Sequence, residues 1–345
     1  MKWSHFISEY PRFLKKAFNK MFFKPMFSLG ELVSNPSKKI WAMGGGKGGI
    51  GKSFVISNLA ISLAKQGKNV VIVDLDLGSA NLHTCLGCDI PELTISDFLS
   101  GRVDSLEKLL VKTSVSRLSM VSGASDALSI SDLKKEQHQA LLDQLKSLNC
   151  DYLFLDLGAG THENTLDYFL LADRPIVGFT PEPTSIENAY RFIKSSFFRW
   201  ILHAEKRLGA KAIVDQVMDQ KNSLGIKSPS DLIKKITELN PELGESFKKE
   251  IENFKIFLLL NQVRTLSDTE IGESVKNVCK KYFGIDTQYV GHLDYDNTVW
   301  QSVRKHKPLV LEYPHSQLVN EFNGIVKKLC EEDERLSSTK LLRTA

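Results

Sequence analysis

One short stretch of the chain combines glycines, lysines and a hydroxyl side chain at a spacing suited to binding phosphate. It covers residues 46–53 and reads Gly-x-x-x-x-Gly-Lys-Ser. The glycines allow backbone N–H groups to turn toward phosphate oxygens, and the start of a following helix adds partial positive charge. We expect Lys52 to reach the β- and γ-phosphates of a nucleotide and the Ser53 hydroxyl to ligate Mg²⁺. The spacing therefore predicts a binding site for a nucleoside triphosphate.

A carboxylate further along the chain is placed to complete this site. Residues 152–155 are an apolar run that predicts a buried strand, and Asp156 ends it. Ligands of open parallel sheets bind at the carboxyl ends of the strands. An aspartate at such an end, beside a phosphate loop, is predicted to bind Mg²⁺ directly or through water.

The elements that must position these residues follow from the apolar pattern. Residues 39–43 predict a short buried strand before the loop, and residues 55–65 are apolar at helical spacing after it. A strand, a glycine loop and the start of a helix form the context that the motif needs. Further buried strands are predicted at residues 69–77, 117–121, 175–179, 257–263 and 289–296, and helices at residues 131–148, 184–201 and 316–330.

A second lysine inside the loop, Lys47, narrows the interpretation. The loop then reads Lys-Gly-Gly-x-Gly-Lys-Ser, which resembles the deviant Walker A motif of the ParA/MinD family of dimerising ATPases. The resemblance implies ATP and Mg²⁺ as cofactors. It also implies an ATP-bound homodimer in which Lys47 crosses to the nucleotide of the other protomer, as an arginine finger does. The nucleotide-binding residues that it implies in the loop are Gly46, Lys47, Gly48, Gly49, Ile50, Gly51, Lys52, Ser53 and Phe54.

Residues 74–82 resemble the first switch region of that family, with the order Asp-x-Asp-x-Gly-x-x-Asn-Leu. By this resemblance Asp76 orients the attacking water, and Asp74 supports the Mg²⁺ shell. Taken without the loop, the two aspartates could equally be helix-cap or turn residues. The catalytic residues that the resemblance implies are Lys47, Lys52 and Asp76, and the metal-binding residues are Ser53, Asp74 and Asp156.

Residues 156–160 are similar to the second switch region, which usually reads Asp-x-Pro-Ala-Gly. Here Gly158 takes the place of the proline, so we expect a more flexible loop and altered sensing of the γ-phosphate. Gly160 is expected to bring its N–H group to that phosphate. Further along, Asn261 matches the family residue that reads the adenine edge. Asp294 stands where the family usually has a proline near the nucleotide.

The resemblance implies the fold and the division of the chain. The expected fold is an α/β, three-layer, doubly wound and mostly parallel sheet of seven or eight strands, the P-loop NTPase fold of the SIMIBI class. We expect an N-terminal arm and linker (1–38), an ATPase domain (39–330) and a charged C-terminal tail (331–345). A helical insertion is predicted at about 206–254. Residues 180–184 are typical of the flagellar-number regulators called FlhG or FleN within this family.

The composition limits the classes of protein to which this chain can belong. The chain has 345 residues, of which 42% are hydrophobic and 25% charged, as in ordinary globular proteins. No apolar run approaches the roughly 20 residues of a membrane-spanning helix, and the N-terminus lacks signal-peptide features. Five cysteines indicate no disulfide framework, so we expect a cytoplasmic protein.

The positive charge of the chain is concentrated near its N-terminus. Residues 1–40 hold eight basic and two acidic residues, a net charge of +6, against +4 for the whole chain. The remainder is −2, which disfavours DNA as a partner.

The N-terminal arm has a basic amphipathic pattern. Apolar residues recur at steps of three and four between Trp3 and Met21, with lysines and an arginine off that stripe. Such a helix can lie on an anionic membrane surface, and residues 1–27 could then hold the protein at the inner face of the cell membrane. Docking on the body of the protein or on a protein partner, and disorder, remain open.

Three functions compete on these grounds. The first is an ATP-dependent positioning or regulatory switch of the MinD/FlhG kind, controlling a structure such as the flagellum or the division site. The second is a ParA-like DNA-partition ATPase, which the charge of the body disfavours. The third is an iron–sulfur carrier or assembly ATPase, for which Cys85 and Cys88 are the only support, and a lone Cys-x-x-Cys pair is favoured to be incidental.

Overall fold

The apolar runs of the sequence become the strands of one sheet. The computed structural model describes residues 38–77, 80–123, 133–219 and 229–344. The strands are β1 (Lys39–Gly44), β2 (Val70–Leu75), β3 (Val111–Lys112), β4 (Leu118–Val121), β5 (Tyr152–Leu157), β6 (Arg174–Phe179), β7 (Ile256–Val263) and β8 (Thr287–Asp294). Their spatial order is β3-β4-β2-β5-β1-β6-β7-β8, and the pairs are parallel apart from β3–β4. The chain enters at β1 in the middle of the sheet and extends to both sides, as in a doubly wound fold.

Helices cover both faces of the sheet. The first six in chain order are α1 (Lys52–Lys65), α2 (Leu82–Leu86), α3 (Ile95–Leu99), α4 (Lys135–Ser147), α5 (Glu163–Leu170) and α6 (Pro183–Leu208). The remainder are α7 (Lys211–Asp219), α8 (Pro229–Leu239), α9 (Pro241–Asn253), α10 (Leu266–Val278), α11 (Asn297–Arg304), α12 (Leu309–Glu312) and α13 (Gln317–Thr344).

Alternation along β1 shows how the three layers are held together. Ile40 and Ala42 belong to the apolar core that includes buried residues of α4, α5 and α6. Trp41 and Met43 belong to the opposite core, which includes α1 and α13. Successive side chains of a strand point to opposite faces, so a strand that is apolar throughout is buried between two layers. The expected three-layer sheet of seven or eight strands is confirmed, with eight.

Several element boundaries differ from the prediction. The helix after the glycine loop begins at Lys52 rather than at residue 55, because the loop itself ends in the helix cap. Helix α6 continues to Leu208, and α13 continues to Thr344, well beyond the predicted residue 330. The predicted arm and linker, up to residue 37, and the predicted helix cap at residues 131–132 lie outside the described residues.

The predicted insertion consists of α7, α8 and α9. Asn240 caps α9 as its sequence predicts, since its side-chain Oδ1 accepts the Leu243 N–H at 3.0 Å before a proline in the first turn. The other predicted cap, Ser228, lies outside the described residues. Ile236 and Phe247 are fully buried, which ties the insertion to the core beside α6.

Helix α6 passes from the glycine loop to the insertion. Near its start, the backbone carbonyl of Asn188 lies against Gly46. In its middle, the Arg199 guanidinium donates two hydrogen bonds of 2.7 Å to the carboxylate of Asp167 on α5. Further on, the Trp200 indole N–H donates to the Glu250 carbonyl of α9 at 3.0 Å.

No helix within the described ranges is both long and apolar enough to cross a membrane.

Candidate nucleotide-binding site

The glycine loop leaves β1 and ends at the first turn of α1. Gly49 and Gly51 have φ values of 78° and 87°, in the left-handed region that glycine adopts readily. Gly51 occupies the N-cap position, so no side chain caps the first N–H groups of α1, and no acidic residue lies in that turn. Exposed N–H groups and the helix dipole then favour an anion at this end. The predicted phosphate loop thus has the required geometry.

Close packing explains two of the glycines. A Cβ atom on Gly46 would lie 2.3 Å from the carbonyl oxygen of Asn188. A Cβ atom on Gly51 would lie 2.8 Å from Nδ2 of Asn261. At Gly46 the contact is with fixed backbone, so the loop passes too close to α6 to carry a side chain. At Gly51 the Asn261 amide would have to move, and the positive φ already favours glycine.

Asn261 holds the loop from the side of β7. Its buried amide donates from Nδ2 to the Ile50 carbonyl at 2.8 Å, while its Oδ1 accepts the N–H of Gln262 at 2.9 Å. The family resemblance implies a role for Asn261 at the adenine edge, and that role stays a prediction. Its support of the loop was missed, because a contact between residues 211 positions apart leaves no local signal.

Lys52 lies almost entirely inside the protein. Burial lowers the pKa of its ammonium group, and the carboxylates of Asp156 and Asp76 act in the opposite direction. The structure thus brings Lys52, Asp76 and Asp156 into one electrostatic cluster, and their roles at a nucleotide stay predictions. A lysine in this position provides fixed positive charge for phosphate oxygens.

Asp156 is almost completely buried, as Asp74 is. In the register of the sheet it is the partner of Asp74 on β2 and of Met43 on β1. Both of its carboxyl oxygens are buried. The Ser53 hydroxyl lies beside them, but no described group makes a hydrogen bond of ordinary geometry to either oxygen. Burial and the neighbouring Asp74 raise the pKa of Asp156 to about 8, against the opposing effects of Ser53 and Lys52.

Asp74 has a different environment from Asp156. Its Oδ1 accepts the N–H of Asp76 at 3.0 Å, and its Oδ2 accepts the N–H of Leu82 at 3.1 Å. Burial raises the pKa of Asp74 to about 6, and these backbone donors oppose the rise. Asp74 therefore holds the backbone of Asp76 and Leu82, and its predicted support of the Mg²⁺ shell stays a prediction.

The donor set fits Mg²⁺. No group of three or more His, Cys, Asp or Glu in the described part of the chain is arranged to hold a metal ion. Mg²⁺ at nucleotide sites is commonly bound by one or two protein oxygens, with phosphate and water completing the octahedron. The orphaned carboxylate of Asp156 and the hydroxyl of Ser53 are oxygen ligands of this kind, and a cation would compensate the buried charge.

The second switch region rests on the phosphate loop. Gly160, with φ of 101°, donates its N–H to the Gly45 carbonyl at 3.3 Å. Its predicted contact with the γ-phosphate stays a prediction and requires this hydrogen bond to break. Gly158 lies directly beside Asp76.

Lys47 points away from the buried cluster. It is exposed, and its ammonium donates to the Thr184 hydroxyl on α6 at 3.2 Å. An exposed lysine of the loop is available to a second protomer, as the resemblance implies, but its role across a dimer stays a prediction.

A groove of about 500 Å³ opens where β7 and β8 end. Asp294 lies in it, exposed, and donates its N–H to the Glu321 carboxylate at 3.0 Å. The guanidinium of Arg264 stacks over the ring of Tyr295 at 3.9 Å from its centroid. The sequence predicts a role for Asp294 but not for Arg264 or Tyr295, since an exposed stacked pair has no sequence motif. The groove is also lined by Val263, Thr265, Leu266, Thr269 and His292.

Cys85 and Cys88 are not prepared for metal or redox chemistry. Burial raises the pKa of the Cys85 thiol to about 12 and also raises that of Cys88. Thiolates are the reactive and metal-binding form, so both environments favour inert thiols. This supports the interpretation that the pair is incidental.

Comparison with known proteins agrees with the site. The sequence profile of the CobQ/CobB/MinD/ParA nucleotide binding domain matches residues 41–309. The antiactivator FleN of Pseudomonas aeruginosa is 26% identical over 294 residues, which cover 84% of this chain and 86% of that protein. The septum site-determining protein MinD of Helicobacter pylori is 34% identical over 149 residues, 43% of this chain and 55% of that protein.

Solved structures show the same fold. The septum site-determining protein MinD of Pyrococcus horikoshii, complexed with Mg-ADP, has a TM-score of 0.58 at 20% identity and covers 85% of this chain and 96% of its own. The MinC:MinD cell division complex of Aquifex aeolicus gives a TM-score of 0.57 at 20% identity, with 85% and 96% coverage. The resemblance to ParA/MinD proteins is confirmed: the chain belongs to the CobQ/CobB/MinD/ParA family of nucleotide-binding domains.

Proposed function

We propose that this protein is a Mg²⁺-dependent ATPase that dimerises with ATP bound and acts as a positioning or regulatory switch of the MinD/FleN kind. The observation that carries the proposal is the buried carboxylate of Asp156, which has no hydrogen-bond partner in the described ranges and lies among Lys52, Ser53 and Asp74. An acid of this kind is costly unless a ligand compensates it, and a bound cation with a nucleotide does so.

The residues of the site have separate tasks in hydrolysis. The N–H groups of the loop and the Lys52 ammonium bind the β- and γ-phosphates. Asp76 orients the water that attacks the γ-phosphorus, and Ser53 and Asp156 hold Mg²⁺, with Asp74 supporting them. When bound, Mg²⁺ neutralises charge that develops on the phosphate oxygens. Catalysis of phosphoryl transfer consists mainly of such positioning and electrostatic stabilisation.

Dimerisation supplies a second positive charge in this proposal. Lys47 is exposed on the loop and bound only to a hydroxyl at its tip, Thr184, among the described residues. Exchanging that hydrogen bond for a phosphate of the other protomer replaces a neutral acceptor by a charged one, which is the stronger interaction. ATP binding and dimerisation are therefore coupled, and hydrolysis reverses both.

The relatives indicate the biological output. One is an antiactivator, others determine the septum site, and one solved relative is a complex of MinD with MinC. Number or position control of a cellular structure, through a protein partner, fits this set. DNA partition is disfavoured by the charge of −2 outside residues 1–40. Iron–sulfur transport is disfavoured by the environments of Cys85 and Cys88.

The protein acts in the cytoplasm and at the inner face of the cell membrane in this proposal. Residues 1–27 contact anionic lipid in this proposal, since their apolar residues recur at helical spacing and their basic residues lie off that stripe. One such helix is a weak anchor, so the ATP-bound dimer, with two of them, binds more tightly than the monomer.

The proposal is tested with the wild type, Asp76→Ala and Lys52→Ala. ATP binding is measured by titration calorimetry, dimerisation by light scattering and hydrolysis by phosphate release. We expect Asp76→Ala to bind ATP and remain a dimer without turnover, because only the orienting carboxylate is lost. Lys52→Ala is expected to lose binding. Wild-type turnover in Asp76→Ala would show that this residue has another task, and wild-type affinity in Lys52→Ala would overturn the nucleotide site.

A further inference from the structure

Asp76 and Gly158 lie side by side at the point where two neighbouring strands end. Leu75 of β2 and Leu157 of β5 are register partners in these parallel strands, so the next residue of each leaves the sheet beside the other. A Cβ atom on Gly158 would lie 3.2 Å from Oδ1 and 3.3 Å from Cγ of Asp76. A side chain at residue 158 would therefore press on the carboxylate of Asp76 and displace it by a few tenths of an ångström.

The backbone of Gly158 gives no other reason for a glycine. Its φ lies outside the left-handed region, unlike those of Gly49, Gly51 and Gly160. Alanine would therefore be accepted by the backbone conformation, and only its contact with Asp76 would be tight.

The main chain of Asp76 is already fixed from another side. Its N–H donates to Oδ1 of Asp74 at 3.0 Å, which sets the direction in which the Asp76 side chain leaves the strand. Its carboxylate interacts electrostatically with Lys52 and Asp156. Because Asp74 holds the main chain of Asp76, the space over Gly158 determines where the Asp76 carboxylate rests relative to Lys52 and Asp156.

We propose that Gly158 is a positioning residue for Asp76. Because Gly158 has no side chain, it leaves room for the water-orienting carboxylate to rest against the second switch region. The inference rests on the proposed ATPase function and deepens it. The sequence predicts that this glycine makes the loop more flexible; in this proposal its role is instead to leave room for the Asp76 carboxylate.

The test is Gly158→Ala. An added Cβ at 3.2 Å forces the Asp76 carboxylate to move by a few tenths of an ångström. Since a misplacement of about 1 Å can cost roughly 100-fold in rate, we expect kcat for ATP hydrolysis to fall by about 3- to 10-fold. The KM for ATP and the affinity for ATP are expected to change by less than about 2-fold, because the phosphate loop is not touched.

Two comparisons separate positioning from a general effect on the fold. Gly324→Ala on α13 is the matched control, because an added Cβ there meets no described atom within 4 Å, and it is expected to keep wild-type kcat. In an Asp76→Asn background, Gly158→Ala is expected to have no further effect on the residual single-turnover rate, since the residue through which it acts is already altered.

The outcomes are distinct. Wild-type kcat in Gly158→Ala, an equal loss in the Asp76→Asn background, or a loss of ATP affinity would each overturn the inference while leaving the ATPase proposal in place. A wild-type protein that hydrolyses ATP no faster than Lys52→Ala would overturn the proposed function, and the inference with it.

Discussion

Replacing Asp156 by asparagine is expected to stabilise the nucleotide-free protein, and to do so more as the pH rises. The carboxylate is buried, has no hydrogen-bond partner in the part of the chain that the structure describes, and lies beside Asp74. Asparagine has nearly the same shape and stays neutral at every pH. The substitution therefore removes the cost of ionising this position while keeping the packing of β5.

The size of the effect follows from the pKa of Asp156. Folding raises this pKa to about 8, from about 4 in an unfolded chain. The folded state thus binds this proton more tightly than the unfolded state does. The protonated carboxyl group stabilises the folded state fully below about pH 4, and this contribution is lost as the pH rises to about 8. Each pH unit in that window lowers the free energy of unfolding by about 1.4 kcal/mol. The wild type therefore loses up to about 4 kcal/mol of stability from this group between pH 5 and pH 8.

Differential scanning fluorimetry between pH 5 and pH 8 measures this loss. The Tm of Asp156→Asn relative to the wild type is expected to rise by roughly 5 °C over that range. Asp89→Asn, the same change at an exposed aspartate, is the control and should show no comparable trend. With Mg²⁺ and ADP the order reverses, because only the wild type gains from the bound cation. Parallel Tm curves for Asp156→Asn and the wild type across the whole pH range would refute the reasoning.

Two further predictions concern the support of the loop and the arm. Asn261→Ala leaves the buried Ile50 carbonyl without its donor, so the affinity for ATP and for inorganic tripolyphosphate is expected to fall by about 10-fold each in titration calorimetry. Unchanged tripolyphosphate affinity would place the role of Asn261 at the base instead. Deleting residues 1–27 is expected to abolish ATP-dependent sedimentation with anionic liposomes, since each basic residue contributes about 1 kcal/mol there and a dimer presents two arms. Full-length protein that stays in the supernatant with and without ATP would contradict the membrane contact.

The parts of the site that could be predicted are those with local patterns. A glycine loop between an apolar strand and a helix, and aspartates at the ends of buried strands, are constrained by residues next to them in the chain. These local constraints are sufficient to predict from the sequence that Lys52, Asp76 and Asp156 lie together. The eight-stranded sheet follows from the same strand patterns and from the family resemblance.

The parts that could not be predicted depend on contacts between distant residues. The hydrogen bond from Asn261 to Ile50 and the place of Asp76 over Gly158 arise where separate strands converge. The ends of α6 and α13 were also missed, because charged residues continue a helix as readily as they end it. The different environments of Asp74 and Asp156 have the same origin. The backbone N–H groups of Asp76 and Leu82, which follow β2, donate to Asp74 and not to Asp156.

The length of α6 has a mechanical consequence. Its 26 residues correspond to about 39 Å, and its two ends touch the phosphate loop and the insertion. A rigid helix converts rotation into displacement: a tilt of about 5° about a point in its middle moves a residue about 11 positions away by roughly 1.4 Å. The clamp between Arg199 and Asp167 lies between the ends and provides a fulcrum. The insertion is thus attached to one arm of a lever, about 9 residues long, whose other arm of about 11 residues ends at the predicted phosphate loop.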